Sequence, residues 1–177
     1  MSLEPEAKIR VEIEWGEQRI TFTATSAKEA IGKLYTLAEG IIPHLVTSFR
    51  LIYHPDLAAL AERLYPFLTI TSDGAIVLKD PARNLPAFDK ILLCLTAALI
   101  RNRVMPDKPP HLLVKELPFV TGAAARTVTN QIPKIVREGY ADRLRGERRE
   151  TFLRITDKGL YYVEHQILPG LERRASR

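Results

Sequence analysis

The chain is poor in the residues that most often anchor chemistry. Its 177 residues include a single cysteine, which excludes an intrachain disulfide. Cys94 lies within Leu92-Leu93-Cys94-Leu95 and reads as a small buried hydrophobe of a reducing compartment. The four histidines, His44, His54, His111 and His165, stand far apart and leave no zinc-site spacing. There is no glycine-rich phosphate loop and no nucleophile elbow, so neither a cofactor nor a metal is expected and the chain reads as a non-enzyme. No apolar run approaches the roughly 18 residues of a membrane span. Met1-Ser2-Leu3-Glu4-Pro5-Glu6 has neither the charge nor the apolar run of a secretion signal, and a soluble, cytoplasmic protein is expected. Only three Asn and three Gln occur, the sparing of heat-labile side chains expected of a thermophilic protein.

What is present suffices for one sizeable core or two small ones, with 46% hydrophobic residues. Lys and Arg outnumber Asp and Glu by 26 to 21, a net charge of +5. That balance permits contact with nucleic acid without establishing it.

In the N-terminal half, Ile9, Val11 and Ile13 alternate with polar residues, as do Ile20 and Phe22, on either side of Gly16-Glu17-Gln18. The pattern predicts a hairpin with one buried face. Ser26 and Glu29 form a capping box ahead of Ala30, Ile31, Leu34, Leu37 and Ala38, which predicts a covering helix that ends near Gly40. Leu45 to Tyr53 fits strand slightly better than helix. Pro55-Asp56 opens a second helix through Leu64, and Leu68-Thr69-Ile70 and Ala75-Ile76-Val77-Leu78 flank the turn Ser72-Asp73-Gly74. Two prolines in Asp80-Pro81-Ala82-Arg83-Asn84-Leu85-Pro86 interrupt helix and ladder bonding and mark the domain boundary.

From Phe88 to Ile100 the chain is apolar around more than one helical face. Such a helix must be buried on more than one side, against its own domain and against the N-terminal domain or a second subunit. Leu112, Leu113, Val114 and Leu117 fit a short second helix, and Phe119-Val120-Thr121-Gly122 a turn. A third helix is predicted from about Ala123 to Arg137, with Val128, Ile132, Ile135 and Val136 inward and Arg126, Thr129, Asn130 and Lys134 outward. Tyr140 to Arg145 and Thr151 to Thr156 read as a hairpin with Gly146-Glu147-Arg148-Arg149 at its tip. Its Arg143, Arg145, Arg148, Arg149 and Arg154 are the densest positive charge in the chain. Leu160, Tyr161, Val163, Ile167 and Leu168 predict a closing helix whose aromatic and aliphatic face can complete a dimer interface.

Thr127-Val128-Thr129, Gly139-Tyr140 and Thr156-Asp157-Lys158-Gly159, in this order, resemble the winged helix-turn-helix regulators of the MarR and ArsR type over roughly Pro86 to Leu168. The resemblance implies a C-terminal winged helix-turn-helix domain over residues 85–177 behind a small N-terminal α+β domain over residues 1–84, an α+β chain in all. It implies sequence-dependent binding of double-stranded DNA, with Arg126, Thr129, Asn130 and Lys134 on the reading helix and the five hairpin arginines on the phosphates. A homodimer is expected, and the N-terminal domain is expected to dimerise, sense a ligand or recruit a protein partner. One departure from the pattern is Pro133, which predicts a kinked third helix or a displaced reading face. A winged module that assembles proteins without reading DNA is the alternative, because fold alone does not fix function.

Overall fold

The computed structural model describes residues 8–15, 18–41, 53–146 and 150–175. Helices and strands mix as an α+β class requires, and the chain divides into two compact units, Met1–Ile52 and Tyr53–Arg177. Among the described residues no helix is long and apolar enough to cross a membrane.

In the first unit, β1 (Ile9–Trp15) and β2 (Gln18–Ala24) pair antiparallel in the register that alternation predicts, Val11 opposite Phe22 and Ile13 opposite Ile20. The expected capping box starts α1 (Ala27–Thr36): Ser26 accepts the Glu29 amide. Glu29 reaches back one residue further than a standard box and accepts from the amide and hydroxyl of Thr25 at 2.8 and 2.6 Å. Lys33 at 2.7 Å, with these two bonds, holds the Glu29 carboxyl down at about 2. A π-helical turn, Leu37–Ile41, follows α1. Of this unit's described residues only Ala24 and Ala30 are buried, while Ile31 (55% exposed), Leu34 and Tyr35 (65%) form an open apolar stripe at helical spacing. The strand read over residues 45–52 lies outside the described residues.

The second unit is built around α4 (Ala87–Val104), in which eight consecutive residues, Ile91 to Ala98, have no exposed surface. The all-round apolar pattern is thus matched by cover on all sides. Burial of each Leu or Ile here contributes about 1.5–3 kcal/mol. Thr96 is accommodated because its hydroxyl donates to the Leu92 carbonyl at 2.9 Å. Much of the cover comes from residues that precede the expected boundary: α2 (Leu57–Leu64, capped by Asp56), the hairpin of β3 (Leu68–Ile70) and β4 (Ile76–Leu78), and the single turn α3 (Asp80–Arg83). Residues 53–84 therefore share a core with Ile91 and Leu95. Pro81 does not interrupt this stretch, because it occupies the first turn of α3, where no amide donor is needed. Ala82 and Leu85 behind it are buried.

After α4 come β5 (Leu112–Leu113), a 3-10 turn (Val114–Glu116), α5 (Leu117–Thr121), α6 (Ala125–Arg137), β6 (Ala141–Arg145) and β7 (Thr151–Ile155). The three strands form one antiparallel sheet in the order β5-β7-β6. Leu112 and Leu113, expected in a helix, are strand because Leu153 and Phe152 pair with them. The helix begins at Leu117-Pro118, where proline is tolerated, and Phe119 to Thr121 are helical rather than the expected turn. Gly122 makes the turn with φ 62°. The chain closes with α7 (Asp157–Tyr162), a π-helical turn (Val163–Ile167) and α8 (Leu168–Ala175). The wide turn directly precedes Pro169, which cannot bond back to His165. Leu160, Val163, Ile167, Leu168 and Leu171 are buried inside this unit. Both surfaces on which the sequence placed a dimer contact are thus largely covered within the chain. Arg63 ties α2 to the C-terminal helix through Glu172 at 2.9 Å, and the Tyr53 hydroxyl donates to Glu164 at 2.6 Å.

Candidate nucleic-acid interface

The α6 sequence divides cleanly by face. Val128, Ile132 and Ile135 are buried against α4 and α5, and Val136 is half-buried, while Arg126, Thr129, Asn130 and Lys134 are exposed. Pro133 is exposed, and the helix runs through it unbroken from Ala125 to Arg137. The lost amide donor falls on the solvent side, so water can serve the Thr129 carbonyl. The N-cap position is Ala124, whose side chain cannot cap, so the first-turn amides of α6 face outward unclaimed by a side chain. Behind them, Thr121 fixes the turn: its hydroxyl donates to the Leu117 carbonyl at 2.6 Å and accepts the Ala123 amide at 3.3 Å.

The far end of α6 is locked more firmly. Gly139, with φ 75°, sends its amide to Val136 and Tyr140 sends its own to Ile135, the paired bonds of a Schellman stop. Thr156-Asp157-Lys158-Gly159 then clamps that stop. The Thr156 hydroxyl donates to Gly139 at 2.7 Å while accepting the Gly159 amide at 3.1 Å, and the Lys158 ammonium reaches the Glu138 carbonyl at 2.7 Å. This motif's work in the fold is to fix the orientation of α6 against the sheet, with its cation at the negative end of the helix dipole.

The candidate cations do not all converge. On the β6-β7 hairpin, Asp142 faces Arg154 and Arg143 faces Leu153. Strand alternation therefore puts Arg143 and Arg145 on the sheet face shared with buried Leu153 and Ile155, and Arg154 on the opposite face. Arg154 pairs with Asp142 at 3.2 Å and borders a cleft with Leu57, Leu99 and Arg103. Lys134 stands over the Phe88 ring at 5.1 Å, and its charge helps to oppose the burial that raises the Asp89 carboxyl. Arg126, Arg143 and Arg145 have no ion pair among the described residues. Arg148 and Arg149 lie outside the described residues.

Sequence reasoning missed two ion pairs that occupy basic groups, Asp142 with Arg154 and Glu150 with Lys115, each at 3.2 Å. The first was legible, because hairpin register places Asp142 opposite Arg154. The second needed the fold, since Lys115 comes from a turn 35 residues away. Among the described residues no group of three or more His, Cys, Asp or Glu side chains is placed to hold a metal ion. No protein-family model matches the chain, and no curated protein matches it.

Proposed function

We propose that the second unit is a winged helix-turn-helix and that the protein binds double-stranded DNA in a sequence-dependent way, as a transcription regulator rather than an enzyme. The observation that carries this reading is the outer face of α6. Arg126, Thr129 and Asn130 are exposed and, among the described residues, uncommitted, on a helix whose other face packs into the core and whose C-terminal end is clamped. The element order supports it: helix, short strand, helix, glycine turn, helix, then a hairpin in a sheet ordered β5-β7-β6. On this reading α6 enters a major groove about 12 Å wide, where Asn130 pairs with an adenine edge and Arg126 with a guanine, and Thr129 meets a phosphate or a thymine methyl. Arg143 and Arg145, with Arg148 and Arg149 from the sequence between β6 and β7, neutralise phosphates. Lys134 and Arg154 contribute secondarily, each already having a partner.

The active form on this reading is a homodimer that addresses half-sites about 34–36 Å apart or a multiple of that. The first unit supplies the contact through Ile31, Leu34 and Tyr35, an apolar stripe exposed among the described residues. Selection of random duplexes on the full chain, followed by footprinting, tests the reading: a recurrent motif with paired half-sites is expected. Recovery of sequences no better than random would remove specific DNA binding. A protein-assembly role is the second reading, favoured by the 88% exposed side chain of Phe119 on α5.

A further inference from the structure

Among the described residues strand β4 has one partner, β3, in a two-stranded sheet. Lys79 donates to Phe67 at 2.8 Å and Thr71 to Ala75 at 2.9 Å, so the pairs Phe67/Lys79 and Thr71/Ala75 are hydrogen-bonded pairs. Antiparallel pairs alternate in type along a ladder. Thr69/Val77 is then the bonded pair between them, and Ile76 and Leu78 turn their amides and carbonyls to the other edge. Arg83 marks that edge, since its Nε donates to the Leu78 carbonyl at 3.2 Å. Among the described residues the Ile76 amide and carbonyl bond to no other element.

This edge is not a flat rim: α5 lies beside it, and the Ile76 and Leu78 side chains are buried. Two hollows of about 400 and 480 Å³ adjoin it, and Ile76, Phe119 and Val120 border both. The first is lined by Ile76, Val77 and Leu78 in succession. Side chains of consecutive strand residues point to opposite faces, so a hollow bounded by all three runs along the edge and not over one face. Phe119 at 88% and Val77 at 41% exposure leave its walls apolar and open. The charged residues of the first hollow are Arg83 and Lys90, with no carboxylate among its lining. Arg83 is shared with Asp80 at 3.0 Å, whereas Lys90 has no ion pair among the described residues. At the other end Glu116 lines the second hollow.

We propose that the free edge of β4 is a docking groove for an extended segment of a partner protein, apolar at its centre and acidic at the end that meets Lys90 and Arg83. The segment adds a strand to the β3-β4 sheet. Ile76 and the Leu78 amide supply main-chain bonds, alternate side chains rest on Val77 and Phe119, and the cationic end sets direction. A second copy of this chain is a poorer occupant. β4 itself, Ile76–Leu78, carries no carboxylate to meet Lys90 and Arg83. The groove lies apart from the outer face of α6 and goes beyond the DNA reading.

The test is a display library of short random peptides, selected on the full chain and remeasured singly by fluorescence anisotropy. Enriched peptides should alternate apolar residues and carry Asp or Glu at one end. Phe119→Asp and Lys90→Glu should each weaken them by about tenfold or more. Methylating alternate backbone amides of a selected peptide, which leaves its side chains and the protein untouched, should abolish binding. Selected peptides without the acidic end, or binding that survives both amide methylation and Phe119→Asp, would overturn the proposal. So would a sedimentation series in which the wild-type chain dimerises and Phe119→Asp does not, since that assigns the groove to a second copy.

Discussion

Gly159 and Gly122 are needed for different reasons, and Gly159→Ala measured beside Gly122→Ala separates them. At Gly159 a Cβ would lie 2.2 Å from the Tyr140 carbonyl oxygen and 2.6 Å from Ile155 Cδ1. The isoleucine end can rotate away, but the carbonyl cannot, because it accepts the Thr156 amide at 3.1 Å and belongs to the stop that ends α6. Relief requires a backbone displacement of roughly 1 Å, given that non-bonded carbon atoms rest near 3.5 Å. Overpacking of this kind costs about 1–3 kcal/mol, and the Thr156 bonds it disturbs add about 1 kcal/mol each. With two such bonds disturbed, a loss of about 3–5 kcal/mol follows, a fall in Tm on the order of 10 °C for a unit of this size. Gly122 has φ 62° with nothing within 4 Å of a Cβ, so its alanine pays only the left-handed conformation, about 1 kcal/mol. Urea unfolding followed by circular dichroism, with midpoint and slope fitted for each variant, reads both. Gly159→Ala within about 1 kcal/mol of wild type, or Gly122→Ala the more damaging of the two, would refute the steric account of the clamp.

Thr156→Val, close in shape, removes the α7 cap and leaves the Gly139 carbonyl without its donor; a loss of about 2 kcal/mol is expected in the same urea assay, and an unchanged midpoint would deny the clamp. Burial pushes the Cys94 thiol up to about 12 from an ordinary 9.0, so iodoacetamide at pH 8.5 should leave it unmodified until the chain unfolds. Because the folded value is the higher, this contribution to stability is complete below the unfolded pKa and is lost as pH rises from about 9 towards 12; labelling of the folded chain as fast as of a denatured control would contradict the burial. For the DNA surface, Arg148→Ala with Arg149→Ala should weaken binding to every duplex and flatten its salt dependence, while Asn130→Ala or Arg126→Ala should cost about 1–3 kcal/mol on the selected site alone. Arg154→Ala should change affinity less than Arg143→Ala, since Arg154 lies on the other strand face and pairs with Asp142; the reverse order in binding isotherms would exclude this orientation of the hairpin.

Elements whose causes are local can be read directly from the residues around them. Ser26 and Asp56 cap the helices that follow them, alternation sets the Val11/Phe22 register, and the spacing of Val128, Ile132 and Ile135 fixes which face of α6 is buried. Each depends on residues within a few positions, so each was legible. Three outcomes belong to the tertiary structure. Leu112 and Leu113 are apolar enough for either helix or strand, and only the unpaired edge of β7, some 40 residues later, selects strand. The unit boundary precedes the proline-rich stretch because α4 is apolar all round and draws residues 53–84 into its cover, a demand that no local signal at Pro81 or Pro86 can express. The reason Gly159 must be glycine is likewise invisible in its neighbours: the atom that excludes a side chain there is the Tyr140 carbonyl, brought across by the return of the hairpin.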